Sequence, residues 1–405
     1  MVPDGGLFRA ERYRDVHLYG IYADRFFRGE LPYRDVFVEY PPGAFAVFLP
    51  PAVLPGGAYN FAFKSLMALC GLAAMLAVAV ALVRLGARGR RLYGAVCLFA
   101  LSPLAVGPIS LNTYDLWPAA LTAGALAALL GRRELLACGL LGLAVTAKLY
   151  PLVLLPPVVV YVWLTAGRRR ALTGLGVLAA AVLAVVLPFA VLAPDGLWDS
   201  FHAQSARGLQ IESLGASVLL AAHRLGLYDA TVVHGSTEAA SRDLAGSLPD
   251  ALATVTSLLQ IAAVALVWAV FVRRRPSPER LVLAAAAAVA AFLVFNRFIS
   301  PQYLVWLIPL VLLVPGSAGL EAAGLLAGSL ALGQIWFFHY RDVFALEGVV
   351  WLVVARDAVL LALYALLLRR LNTSTASSEK TSRHRGLRRS RASPSAVAGG
   401  SQRSR

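Results

Sequence analysis

The chain has 405 residues, of which 59% are hydrophobic and only 15% charged, and its mean hydropathy is +0.70. Those values exclude an ordinary soluble domain. The formal net charge of +15 points first to nucleic acid, but the arginines recur in clusters between apolar runs, the pattern of loops beside a membrane.

Residues 1–57 are polar and come first. From Asp15 the side chains Val16, Tyr19, Ala23, Phe26 and Phe27 recur near helical spacing, with Arg25 and Arg28 on other faces. This predicts an amphipathic helix lying in the membrane interface. Gly29 is placed to follow its C-cap, and Pro32 forbids continuation. The chain is then expected to run extended through residues 33–40, and Tyr40-Pro41-Pro42-Gly43 delivers it into the next apolar segment. Asp15 stands at the start of the helix, where a carboxylate serves either as an N-cap or as a functional acid. Asp35 and Glu39 can pair with Arg34 and its neighbours or face a substrate, and Tyr40 with its prolines also fits plain interface anchoring.

About eleven membrane helices follow, near 58–83, 92–110, 114–130, 135–147, 150–166, 171–193, 251–272, 281–296, 301–314, 319–338 and 348–368. None shows the period-two alternation of a barrel strand, so the class is all-α and polytopic. Pro151, Pro156, Pro157, Pro301 and Pro309 are expected to kink or break their helices. The pairs of segments flanking Lys148–Pro151 and "FNRFISPQY" therefore read as half-length or re-entrant. The basic clusters around Arg84–Arg91, Arg132/Arg133, Arg168–Arg170, Arg273–Arg280 and Arg369/Arg370 mark the cytoplasmic side. Segments 1–57, 111–113, 194–250 and 339–347 then face outward. Most of the 22 acids fall on that side or its edge, Glu134, Glu279, Glu321 and Glu379 excepted. The rule used Lys and Arg alone, so this segregation was not built in, and the chemistry is expected on the outer face. Residues 58–370 are thus the transmembrane bundle, with an outer loop at 194–250, and the Ser/Arg/Gly-rich segment 371–405 reads as a disordered, basic cytoplasmic tail.

Cys70, Cys97 and Cys138 lie in apolar runs and read as packing residues. His17, His202, His223, His234 and His339 lack metal-ligand spacing, so neither a metal nor another cofactor is expected. Arg356 and Asp357 in the last span are expected to make local or interhelical pairs, although adjacent positions do not face one another on a helix. A cytoplasmic C-terminus after eleven spans leaves residues 1–57 outside with no apolar helix before them. A longer upstream reading frame encoding one more helix is therefore expected.

Residues 14–43, "RDVHLYGIYADRFFRGELPYRDVFVEYPPG", resemble the first outer loop of the bacterial, actinobacterial-type GT-C polyprenyl-phosphomannose-dependent mannosyltransferases. In that family Asp-x-x-x-Tyr precedes an interfacial helix, and Gly-x-x-x-Tyr and Tyr-Pro-Pro follow. Here these are Asp15…Tyr19, Gly29…Tyr33 and Tyr40-Pro41-Pro42. "TAKLYPLVLLP" around Lys148, "NRFISPQYLVWLIPL" from Asn296 and "RGLQIESLGAS" at 207–217 are similar to the same pattern. The family carries a membrane helix before the loop, which this sequence does not.

The resemblance implies a GT-C-like bundle in the cell membrane with an interfacial helix in its first outer loop. It implies transfer of a sugar, mannose foremost, from a polyprenyl-phosphate donor to a lipid or glycan acceptor on the outer face, with inversion. The sequence agrees, since no soluble stretch is long enough for a nucleotide-binding domain and no Gly-rich phosphate loop follows a strand. By the same resemblance Asp15 is the general base, with Asp35, Glu39 and Tyr40 contacting the substrate or positioning the loop. Lys148 and Arg297 are the cations for the leaving phosphate, although both could equally snorkel to outer headgroups. Gln302 and Tyr303 add hydrogen bonds, and Arg207 reaches in from the long outer loop. The alternative is a transporter or flippase for lipid-linked sugars, but no internal repeat is visible and the outer acids would go unexplained.

Overall fold

The computed structural model describes residues 15–54, 57–234, 242–339 and 345–374. The segment 1–14, part of the outer loop 194–250 and the tail expected beyond 374 lie outside the described residues. Nearly all of the rest is helix. The membrane part begins with α3 (Tyr59–Arg84) and α4 (Arg90–Val106). It continues through the one-turn α5 (Ile109–Asn112), α6 (Leu116–Leu130), α7 (Glu134–Ala147), α8 (Leu155–Ala166) and α9 (Arg168–Leu192). After the outer loop come α12 (Ser247–Val272), α13 (Pro278–Val294), α14 (Leu307–Val311), α15 (Gly316–Phe338) and α16 (Val350–Thr373). Among the described residues α3, α9, α12, α15 and α16 are long and apolar enough to cross a bilayer. The shorter helices fill the expected positions between them, and the chain is an all-α polytopic membrane protein.

Two of the expected half-length segments owe their shape to proline. Lys148 is extended (φ −160°, ψ 149°) and ends α7. A 3-10 turn, Tyr150–Leu154, then leads into α8 with Pro151 in its first turn, where the missing N–H costs nothing. The second, Pro301–Trp306, likewise opens on proline and runs into the five-residue α14. Both therefore begin at the outer cavity described below.

Helix α13 sits at the centre, with Leu281–Ala291 buried throughout. Its run of alanines lets α12 and α16 approach closely, the packing that helices in lipid depend on. Helix α9, by contrast, keeps Leu172, Leu183, Leu187 and Val191 exposed as a lipid-facing surface. At the end of α13 away from the cavity, Arg280 is buried and holds two helix ends together. One guanidinium nitrogen donates to Leu371 O and Ser374 Oγ, the other to Val270 O and Phe271 O at 2.9 and 3.1 Å. Arg91 caps the end of α14 through Leu313 O and Val314 O. These carbonyls are ones the helices cannot satisfy themselves.

At the cavity end of the bundle lies α1 (Asp15–Phe27), the helix expected from its periodicity. Its end is a Schellman motif: Gly29 N donates to Phe26 O, Glu30 N to Arg25 O, and Gly29 has φ +89°. The segment after it departs from expectation. Residues 33–35 form a turn closed by a Pro32–Val36 bridge, and only the residues beyond Val36 run extended. The cause is local: Tyr33 takes a left-handed φ of 71° and Asp35 accepts a hydrogen bond from Leu31 N. Tyr33 Oη donates to Tyr40 O at 2.6 Å, fixing the return of the chain. A short helix, α2 (Phe45–Phe48), follows. At Gly43 a Cβ would lie 2.4 Å from Thr146 Oγ1 and 2.6 Å from backbone, so only glycine lets this segment lie against α7.

The outer loop contributes α10 (Pro194–Ser205), α11 (Leu214–Arg224) and a small antiparallel sheet. The sheet joins β1 (Leu209–Gln210), β2 (Val232–His234) and β3 (Arg242–Leu244) in the order β1-β3-β2. It is a departure from the purely helical reading of the sequence, and it serves to stiffen the stretch after Arg207.

Candidate active site

A cavity of about 880 Å³ opens between the segment that begins at α1 and the helix ends beside it. That segment supplies Asp15, Tyr19, Glu39 and Tyr40, and the connections between helices supply Tyr114, Asp115, Lys148 and Tyr150. The long outer loop adds Gln204, Arg207, Gln210 and Glu212, and the segment after α13 adds Asn296, Gln302, Tyr303 and Trp306.

Lys148 turns inward. The break after α7 places its ammonium 2.7 Å from Asp115 Oδ1, with side-chain exposures of 14% and 1% for the pair. The same ammonium lies 4.5, 4.9 and 5.1 Å from the ring centres of Tyr114, Tyr303 and Trp306. Such faces attract a cation. Trp306 Nε1 donates to Asp115 Oδ1 at 2.7 Å, and the rings of Tyr150, Trp306 and Tyr303 stack in sequence at 4.2 and 4.4 Å. The geometry contradicts the snorkelling alternative for this residue. Asp115 Oδ2 has no hydrogen-bond partner among the described residues.

Asp15 is the first helical residue of α1, half-buried at the cavity wall. Burial pushes its carboxyl up to about 6, the charges of Asp115 and Glu39 add to the rise, and Lys148 opposes it. No ion pair holds Asp15 among the described residues, so it is able to take up a proton. Its neighbour Tyr19 is buried, stacked on Phe48 at 4.2 Å and edge-on to Tyr114 at 5.7 Å, which locks the first turn of α1 to the bundle.

Glu39 is buried and its Oε2 lies 3.4 Å from the guanidinium of Arg207, which in turn covers the Phe298 ring at 5.0 Å. Helix α10 holds this strand of the loop in place: Ser200 Oγ donates to Val38 O and Gln204 Nε2 to Glu39 O. The close approach requires Gly196, where a Cβ would fall 1.6 Å from Tyr33 O.

The structure thus gathers Asp15, Glu39, Tyr40, Lys148, Arg207, Gln302 and Tyr303 around one cavity. It does not bring in Asp35, which is exposed and bound to Arg34 at 2.8 Å. That hydrogen bond and the one from Leu31 N hold its carboxyl at about 2. Arg297 is also outside the lining; its guanidinium donates to Ser205 O and its own carbonyl accepts from Gln210 N. Its backbone and side chain tie loop to loop.

Sequence reasoning missed Asp115, Trp306, Gln210 and Glu212. A signal existed for Asp115, a lone acid in the short outer connection between two apolar runs. For Trp306 it was the three-residue spacing from Tyr303. The last span also holds more than a local pair: Arg356 bonds Asp357 Oδ1 at 2.8 Å, donates to Glu212 O, and lies 3.6 Å from Glu212 Oε2. Ser217 Oγ donates to the other oxygen of Asp357. Among the described residues no three His, Cys, Asp or Glu side chains are placed to hold a metal.

No curated protein matches the chain significantly. A solved structure similar to it is that of ArnT from Cupriavidus metallidurans bound to undecaprenyl phosphate. It is 17% identical over 88% of this chain and 73% of that one, with a TM-score of 0.47. The sequence profile of Glycosyltransferase family 87 matches residues 37–301, well over half the chain and spanning the cavity from Glu39 to Pro301. This chain belongs to glycosyltransferase family 87.

Proposed function

We propose that this membrane glycosyltransferase moves a sugar, mannose foremost, from a polyprenyl phosphate to a lipid or glycan acceptor at the outer face of the cell membrane. The observation that carries the reading is the meeting, on one cavity, of the Asp15 carboxylate, which has no ion pair among the described residues and a raised pKa, with a caged ammonium, Lys148. The acceptor hydroxyl gives its proton to Asp15 while its oxygen attacks the anomeric carbon. The bond from that carbon to the phosphate oxygen breaks on the opposite side, with inversion. The electron pair leaves with the polyprenyl phosphate, whose new charge Lys148 and Arg207 stabilise. Arg207 Nε is buried without a partner among the described residues and supports that role. The first-loop motif supports the sugar and the lipid carrier. The arginine clusters support a cytoplasmic C-terminus.

Asp15→Asn tests the base. Asparagine caps a helix about as well as aspartate, so a capping role predicts near-unchanged activity. A general base predicts a loss of roughly 10²-fold or more in transfer of labelled sugar from polyprenyl-phosphomannose, with donor binding retained. Near wild-type turnover at saturating donor overturns the assignment.

A further inference from the structure

The cavity carries a second polar group that the transfer step does not use. In β1 and the turn that follows it, residues 209–212, the side chains part to two sides. Leu209 and Ile211 enter the apolar cluster beneath the outer loop, at 0% and 1% exposure, whereas Gln210 and Glu212 line the cavity. Both are more than nine-tenths buried, at 6% and 4%. Gln210 Oε1 nevertheless has no hydrogen-bond partner among the described residues, and Glu212 Oε2 has the Arg356 guanidinium 3.6 Å away. Groups so buried cost free energy unless something bonds to them.

They are also held in place. Ser213 caps α11 and its hydroxyl donates to Gln210 O at 2.8 Å; Arg356, fully buried in α16, grips Glu212 and Asp357. Asn296, also buried in the lining, has its side-chain oxygen occupied by Phe298 N. That bond orients its amide.

We propose that Gln210 and Glu212 form a subsite for a sugar of the acceptor, bound through its hydroxyls. The charge pattern selects this chemistry. The cation of the group, Arg356, does not line the cavity and lies between the carboxylates of Glu212 and Asp357, so a phosphate meets carboxylate and amide oxygens here and is disfavoured. A hydroxyl both donates and accepts, and it suits the unbonded oxygen of Gln210 and the Glu212 side chain beside it in the lining. Burial also pushes the Glu212 carboxyl up to about 8, with Arg356 opposing and Asp357 adding. The assignment to acceptor and not donor rests on the reading above, in which the donor's phosphate sits at Lys148 and its anomeric carbon beside Asp15. A cavity of about 880 Å³ has room for both partners.

The test uses the full chain in lipid nanodiscs, with octyl α-mannopyranoside and a polyprenyl phosphate as separate probes. Gln210→Met keeps the volume and removes an unbonded polar atom, so thermal stability is expected to hold or rise. Octyl mannoside binding is expected to weaken about 3- to 10-fold, the value of one or two neutral hydrogen bonds. Polyprenyl phosphate binding is expected to stay unchanged in this variant and to fall in Lys148→Met, and the two probes are expected to bind together. No saturable octyl mannoside binding to the wild type, equal binding by Gln210→Met, or displacement of one probe by the other overturns the subsite. Failure of Lys148→Met to weaken phosphate binding counts against the donor reading alone, which keeps the two distinguishable.

Discussion

Removing the Lys148 ammonium tests both the energetics and the chemistry of the cavity. Lys148→Met preserves the stem and its contacts with Tyr114, Tyr303 and Trp306 but strands the carboxylate of Asp115, whose side chain is 1% exposed. At a separation of 2.7 Å, an effective dielectric of about 20 gives about 6 kcal/mol of direct attraction. Breaking buried pairs by truncating one partner costs about 3–5 kcal/mol in practice. The Trp306 N–H still bonds Asp115, so the lower part of that range is expected. Asp115→Asn added to Lys148→Met removes the stranded charge and keeps an acceptor for Trp306, so stability should return to within about 1–2 kcal/mol of wild type. Transfer activity should not return, because the cation facing the leaving phosphate is still missing. Chemical unfolding in mixed micelles, run beside a transfer assay on all four members of the cycle, checks both. A single-variant loss below about 1 kcal/mol would refute the buried pair, and recovered activity in the double variant would reduce Lys148 to a structural partner of Asp115.

The rate of transfer should depend on pH through Asp15. Its folded pKa, about 6, lies above the ordinary value of 3.8, and the base acts only when deprotonated, so log kcat/KM should fall with unit slope as pH drops below about 6. The stability this group contributes runs the other way, full below about pH 4 and lost as pH rises through 6, and Asp15→Asn should flatten that window in unfolding measurements. Gly43→Ala puts a methyl within 2.4 Å of Thr146 Oγ1 and 2.6 Å of its backbone, so a loss of about 1–3 kcal/mol is expected in the same unfolding assay, with the first loop displaced. A reporter fused after Arg370 should read as cytoplasmic, and an external signal would reverse the side assigned to the cavity.

The helices were legible because lipid imposes a length and a composition that few other contexts share. The interfacial helix was legible through its period and through Gly29, whose positive φ ends it as anticipated. The breaks at Lys148 and Pro301 were legible through proline. The site was legible only in part, and the failures share a cause. Asp35 and Glu39 stand four positions apart and looked interchangeable, but the left-handed Tyr33 turns one to solvent and the extended chain carries the other inside. Arg297 looked like a phosphate ligand at the end of a span. Its actual partner, Ser205 O, is 92 residues away, and no local spacing announces it. Asp115 and Glu212 likewise gain meaning from Lys148 and Arg356, partners 33 and 144 positions distant.

Arg280 also sets an order of assembly. Two of its partners, Val270 and Phe271, precede it in the chain, but Leu371 lies 91 residues further on and enters the membrane much later during synthesis. Until α16 arrives, two of the guanidinium's partners are missing and α13 lacks one of the helices it packs against. The segment from Asn296 to Trp306, which closes one wall of the outer cavity, hangs directly from the far end of α13. The cavity at one end of α13 is therefore expected to take its final shape only after α16 has docked beside the other.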